Sequence, residues 1–191
     1  MSARLKALRL VGSTLAASRI EFVSIGSEVV LLHSGIDYKP TAMDVDLFVL
    51  NVSPFLEEDL FKEIAEKHGW RVTQTWIGSP SIVIAVDETD INVDLYENIL
   101  DFYVPREIVD DAARINLKGF RVKVIPLEGY IVLKAKAGRD FDERDLKAIR
   151  ILEAKGKIRL DLNRVKKYIK TFPEEDRKYI EHRLSKQGFL V

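Results

Sequence analysis

Asp44 and Asp46 stand two residues apart in Met43-Asp44-Val45-Asp46-Leu47. Alternate side chains of a strand share a face. Both carboxylates therefore point one way, while Met43, Val45, Leu47 and Val49 point the other. Two carboxylates side by side repel, and a hard divalent cation between them removes that penalty. Ile91-Asn92-Val93-Asp94-Leu95-Tyr96 repeats the pattern. Asn92, Asp94 and Tyr96 share one face, and Ile91, Val93 and Leu95 share the buried one. If this strand pairs beside residues 43–50, three carboxylates converge. Three can hold two Mg²⁺ ions that clamp the attacking and leaving oxygens of a phosphoryl transfer. Mg²⁺ keeps positions for water and substrate phosphates, so an all-protein cage is not required.

Gly26-Ser27 adds a second element. It falls between an expected strand and an expected helix start, where free N–H groups and the helix dipole suit a phosphate. Glycine permits close approach, and the Ser27 hydroxyl donates to a phosphate or caps the helix. Taken singly these features are bland. An isolated Asp-x-Asp is ordinarily surface alternation, Gly-Ser is ordinarily a turn, and a lone Asp94 is a solvated strand residue. Their order along the chain is much rarer than any one of them: strand, Gly-Ser, helix, loop, Asp-Val-Asp strand, later strand bearing Asp.

The elements that must position these groups follow from periodicity. Leu5, Leu8, Val11 and Leu15 predict a helix over 3–18. A strand over Glu21–Ile25, a helix over Glu28–Ser34, a loop over Gly35–Ala42 and a strand over Met43–Leu50 come next. Ser53-Pro54 reads as an N-cap with proline in the first helical position, continued by Leu56, Leu60 and Ile64. Trp70–Trp76, Ser81–Val86, Ile91–Leu95 and Phe120–Ile125 read as strands. After Pro126 the pattern turns helical, over about Leu127–Ala137 and Asp142–Ala154, with Gly138 and Gly156 as C-terminal caps. A third helix is capped by Asp161, with Leu162, Val165 and Ile169 inward. A fourth starts at Pro173-Glu174-Glu175 and ends at Gly188. The expected architecture is α/β: a mixed sheet flanked by helices over residues 1–126, and a helical C-terminal part over 127–191 packed on it.

With these motifs in place, the chain resembles the DNA polymerase β-type nucleotidyltransferase superfamily. That superfamily carries Gly-Ser or Gly-Gly, then Asp-x-Asp, then a third Asp on a later strand. Within it the chain is most similar to the AbiEii/MenT-like and minimal nucleotidyltransferase proteins, over roughly residues 20–150. Tyr38-Lys39-Pro40-Thr41-Ala42-Met43-Asp44-Val45-Asp46 resembles the basic-x-Thr-x-x-Asp-x-Asp approach to the metal strand. Leu133-Lys134-Ala135-Lys136-Ala137-Gly138-Arg139-Asp140-Phe141-Asp142-Glu143-Arg144-Asp145-Leu146 resembles the helix pair of the AbiEii-like branch. The resemblance implies Mg²⁺ or Mn²⁺ on Asp44, Asp46 and Asp94, with Asp94 also helping to deprotonate the acceptor. It implies an NTP substrate held by Gly26, Ser27, Lys39, Thr41, Lys134 and Arg139, with a loop-stabilising hydrogen bond as the equal alternative for Thr41. Asp142 and Asp145 are implied as support for the site or as direct contacts in it, or serve as first-turn helix residues that favour the dipole.

Composition bounds what else the chain can do. Its 191 residues include no cysteine, which excludes disulfides, thiolate metal sites and cysteine nucleophiles. No apolar run approaches the roughly 18 residues of a membrane span. Met1–Lys6 lacks the core of a signal peptide, so a cytoplasmic location is expected. Two methionines among abundant Lys, Glu, Ile and Val fit a thermophilic source. Net charge is zero, yet residues 134–191 carry 17 Lys/Arg against 10 Asp/Glu, and residues 1–133 carry 13 against 20. An acidic part for metal and a basic part for phosphate would divide this way, as would chance. The stretch from Lys155 to Lys170 holds RNA or is a solvated helix face. His33, His68 and His182 are isolated and read as packing or surface residues, while Trp70 and Trp76 read as core or interface packing, with base stacking as the alternative. The expected activity is transfer of a nucleoside monophosphate from an NTP to a hydroxyl of an RNA 3′ end, a protein or a small molecule. Two other readings stay open: an inactive nucleotide- or RNA-binding module of the same fold, and an antitoxin-like interaction protein. A homodimer or a cognate partner protein is compatible with each.

Overall fold

Seven strands form one mixed sheet in the computed structural model of the protein, which describes residues 1–99 and 101–190. They are β1 (Phe22–Ser24), β2 (Val45–Val49), β3 (Arg71–Gln74), β4 (Pro80–Val86), β5 (Thr89–Tyr96), β6 (Ala113–Leu117) and β7 (Phe120–Val124). Their order across the sheet is β3-β4-β5-β2-β1-β7-β6. The β2–β5 and β1–β7 pairs are parallel, and the other four pairs are antiparallel. The parallel β2–β5 pair lies at the centre, and Val45, Leu47, Val93 and Leu95 there are wholly buried. This is the usual circumstance of parallel strands, which need cover on both faces.

The helices are α1 (Ala3–Ala17), α2 (Glu28–Ser34), α3 (Glu58–Lys67), α4 (Arg106–Asp110), α5 (Leu127–Ala137), α6 (Asp140–Ala154), α7 (Leu162–Ile169) and α8 (Glu174–Lys186). The chain divides into two compact units. One comprises residues 1–28, 43–103 and 113–124, with the whole sheet and with α1 and α3 packed on it. The α1 stripe of Leu5, Leu8, Val11 and Leu15 is its buried contribution. The other unit comprises residues 29–42, 104–112 and 125–191. There α5 packs against α6, α7 and α8, and Ile131, Val132, Val165, Tyr168, Ile180 and Leu184 are buried. Among the described residues no helix is long and apolar enough to cross a membrane.

Several expected boundaries move. The helix expected from Ser53 begins at Glu58 instead. The Ser53 hydroxyl is bonded to the Glu97 carboxylate and accepts the N–H of Leu56, which holds residues 53–57 in a turn and leaves Leu56 85% exposed. The expected Trp70–Trp76 strand shortens to β3, and Trp76 sits in the turn that follows, 67% exposed. Asp44 lies just before β2 rather than within it. Helix α4 and strand β6 had no expected counterpart. Both Asp161 and Gly138 cap as expected. The Asp161 carboxylate accepts the N–H groups of Asn163 and Arg164, and Gly138 ends α5 at φ 62°.

Candidate active site

The register of the central pair decides where the carboxylates fall. β2 and β5 run parallel with Asp46 opposite Asp94. Asp44 precedes β2 by one residue, and its charge is felt by Asp94. Burial pushes the Asp94 carboxyl up. The Ser81 hydroxyl bond pulls it down, the Asp44 charge pushes it up again and the Tyr96 bond opposes, with a net rise. Burial likewise raises Asp44. Asp94 accepts a hydrogen bond from Ser81 Oγ at Oδ1 (2.5 Å) and from Tyr96 OH at Oδ2 (3.2 Å).

Gly26 follows β1 and lies against Asp46. A Cβ built on it would stand 2.6 Å from Asp46 Oδ2, 2.9 Å from the Asp46 backbone N and 2.7 Å from Glu28 Oε2. Glycine is therefore required by close approach. Beneath this turn is a buried polar group. The Arg4 guanidinium donates to the Ser27 hydroxyl, and the Ser24 hydroxyl donates to Glu28 Oε1. Burial drives the Glu28 carboxyl up, opposed by the Ser24 bond and the Arg4 charge.

The other unit holds the remaining candidates. Lys134 Nζ lies 2.8 Å from Asp142 Oδ1 and 3.0 Å from Asp145 Oδ2. Burial lowers the Lys134 pKa, but its two aspartates outweigh burial and hold it above the ordinary lysine value. Burial raises Asp142 in turn, and the Arg139 bond and Lys134 charge more than reverse that, so its carboxyl sits below the usual range. Asp142 Oδ2 also accepts the Arg139 backbone N–H (3.1 Å) and Nε (2.7 Å), closing the start of α6. Asp145 Oδ1 accepts the Thr41 N–H at 3.4 Å. Lys39 is exposed at φ 54°, with its N–H on Asp37 Oδ1.

Among the described residues no three His, Asp or Glu groups form a ready cation site. Asp44, Asp46 and Asp94 do supply oxygen donors only, as Mg²⁺ and Mn²⁺ prefer. Two of them are raised by burial, with one repelled by the other, a strain that a cation relieves. By donor chemistry alone these carboxylates would suit an open site completed by water and substrate oxygens.

Residues 4–186 match the model of a family described as a nucleotidyl transferase of unknown function, DUF2204. The chain belongs to this family. No functionally curated protein is significantly similar to it in sequence. Among solved structures, this DUF2204 chain resembles an antigenic nucleotidyltransferase-like protein from Paracoccidioides brasiliensis. The TM-score is 0.59 at 11% identity, over 96% of this chain and 86% of that one. The antibiotic-resistance factor ANT(2″)-Ia is similar at TM-score 0.50 and 12% identity, over 95% of this chain and 89% of that one. ANT(2″)-Ia in complex with adenylyl-2″-tobramycin gives 0.50 and 12%, over 97% and 99%. At these identities the likeness is one of fold.

Sequence reasoning overlooked Arg4, Glu28 and Ser81 in the DUF2204 chain. Arg4 stood in view, since it continues the Leu8, Val11 and Leu15 stripe one turn earlier and is buried. Glu28 could have been flagged by Ser24 four residues before it. Ser81 carried no signal, because its partner belongs to another strand. The histidine expectations fit: His33 Nε2 meets the Ile125 carbonyl, and His68 stacks on Trp70.

Proposed function

We propose that this DUF2204 chain transfers a nucleoside monophosphate from an NTP to a hydroxyl acceptor, and that Asp44, Asp46 and Asp94 hold the Mg²⁺ or Mn²⁺ ions it needs. The observation that carries the proposal is the parallel register setting Asp46 beside Asp94, with Asp44 one residue before the strand. Bound divalent cations would neutralise triphosphate charge and stabilise the leaving pyrophosphate. In the reaction the acceptor oxygen bonds to the α-phosphorus as the bond to the bridging oxygen breaks. Pyrophosphate departs, and the acceptor proton passes to Asp94. Gly26 lets the turn pass against Asp46, where any side chain would collide, and Ser27 adds a donor. Lys39, Thr41, Lys134 and Arg139 are nucleotide contacts by resemblance, with Asp142 and Asp145 holding Lys134 and Arg139 in place. The AbiEii/MenT-like or minimal branch, and with it a toxin role directed at tRNA, belongs to the same proposal.

The acceptor is found by experiment. The protein is incubated with Mn²⁺ and each α-labelled NTP, beside total RNA, the protein itself and hydroxyl-rich small molecules. The last are included because ANT(2″)-Ia is seen with adenylyl-2″-tobramycin. The same mixtures receive the Asp44→Asn/Asp46→Asn variant. Label entering one pool with wild type alone establishes the transfer and its acceptor class. Label entering a pool equally with the variant removes the carboxylates from the mechanism. Nucleotide binding without label in any pool favours the inactive binding module.

A further inference from the structure

We propose that Ser81, backed by Asn92, is a positioning residue that fixes the orientation of the Asp94 carboxylate. The inference rests on the metal-binding reading of Asp44, Asp46 and Asp94 and adds residues that the reading does not contain. The antiparallel register of β4 and β5 sets Ser81 directly opposite Asp94 and Val83 opposite Asn92. Asn92 and Asp94 share a face by strand alternation, so Ser81 lies across from one and diagonal to the other, both within reach. Asn92 Nδ2 donates to Ser81 Oγ at 3.2 Å, and Ser81 Oγ lies 2.5 Å from Asp94 Oδ1.

A hydroxyl carries one proton. With the Asn92 amide directed into the Ser81 oxygen, that proton goes to Asp94, so the chain Asn92 to Ser81 to Asp94 has one direction. Ser81 is 1% exposed, and solvent cannot replace it as a donor. The Tyr96 hydroxyl holds the other Asp94 oxygen. Each carboxylate oxygen thus accepts one protein hydrogen and keeps a lone pair for a ligand, and the plane of the carboxylate is set before any cation arrives. Residues that orient a metal ligand in this manner change metal affinity without touching the metal.

The test is Mn²⁺ binding to the full chain, followed by electron paramagnetic resonance, with melting curves to establish that each variant is folded. Ser81→Ala is expected to weaken Mn²⁺ by about tenfold or more. Ser81→Thr, which restores the hydroxyl, should return affinity to near wild type. Asn92→Ala should weaken Mn²⁺ when Ser81 is present and add nothing in Ser81→Ala, because it acts through Ser81. Should Ser81→Ala fail to fold, Asn92→Ala alone carries the test. Asp94→Asn is the reference. If Asp94→Asn loses Mn²⁺ while Ser81→Ala, or Asn92→Ala in its place, binds as wild type, the positioning role is overturned and the carboxylate reading stands. If Asp94→Asn binds Mn²⁺ unchanged, both are overturned.

Discussion

Gly26 is where a single atom decides most. A methyl group there would meet the Asp46 carboxylate and its backbone nitrogen inside 3 Å, and the backbone contact cannot swing aside. Gly26→Ala should destabilise the protein by about 1–3 kcal/mol through overpacking. It should also lower Mn²⁺ affinity by displacing Asp46, with denaturant unfolding and metal titration as the two readouts. Asp142 gives a test with a sign. Its folded pKa lies below the ordinary aspartate value, so its contribution is present above that value and is lost as pH falls through the folded pKa. Asp142→Asn breaks a buried pair with Lys134 and should cost about 3 kcal/mol at pH 7. The gap from wild type should shrink in acid, where the native carboxyl is itself protonated. A gap independent of pH would mean that the cost is one of packing rather than charge.

At the scale of elements, what was legible in the sequence is what local chemistry dictates. Helix α5 and the Asp161 cap were read from apolar spacing, a glycine stop and a capping carboxylate, all of which act within a few residues. The start of α3 was misread because the Ser53 hydroxyl is committed to Glu97, a partner 44 residues away in sequence. β6 escaped because four of its five residues are not buried, which leaves no alternation to detect. The carboxylates of the candidate site, and Tyr96 on the face of Asp94, were legible from strand alternation, but the Ser81 hydroxyl that holds Asp94 was not, since it depends on sheet register. The end of α5 offers its own prediction. Arg183 Nη1 donates to the carbonyls of Ala135 and Lys136, and a side chain at Gly138 would occupy the guanidinium's place. Gly138→Ala combines that collision with a positive φ and should cost about 1 kcal/mol or more in thermal unfolding. Arg183→Met should recover part of the difference between Gly138→Ala and its parent.

For the molecule as a whole, the uneven charge matters more than its zero sum. The acidic excess before residue 134 and the basic excess after it would suit the proposed binding of cations and a polyanionic nucleotide, and chance would divide the charge the same way. Ligands that bind only the folded state stabilise it in proportion to the logarithm of their concentration. Mn²⁺ with NTP at about a hundredfold over the dissociation constant should therefore raise the melting temperature by roughly 5–10 °C. Asp46→Asn should lose most of that rise. The proposed reaction cleaves the NTP between its α- and β-phosphates and moves the nucleoside monophosphate to the acceptor under the control of three carboxylates. Its most direct measurement is a paired incubation with Mn²⁺ and the acceptor pool, one with α-labelled and one with γ-labelled NTP, using wild type, Asp46→Asn and Asp94→Asn. The expected result is α-label on the acceptor with an equal amount of γ-label in pyrophosphate, and neither with the two variants. γ-Label released as inorganic phosphate with α-label left in NDP, or transfer that survives both substitutions, would contradict it.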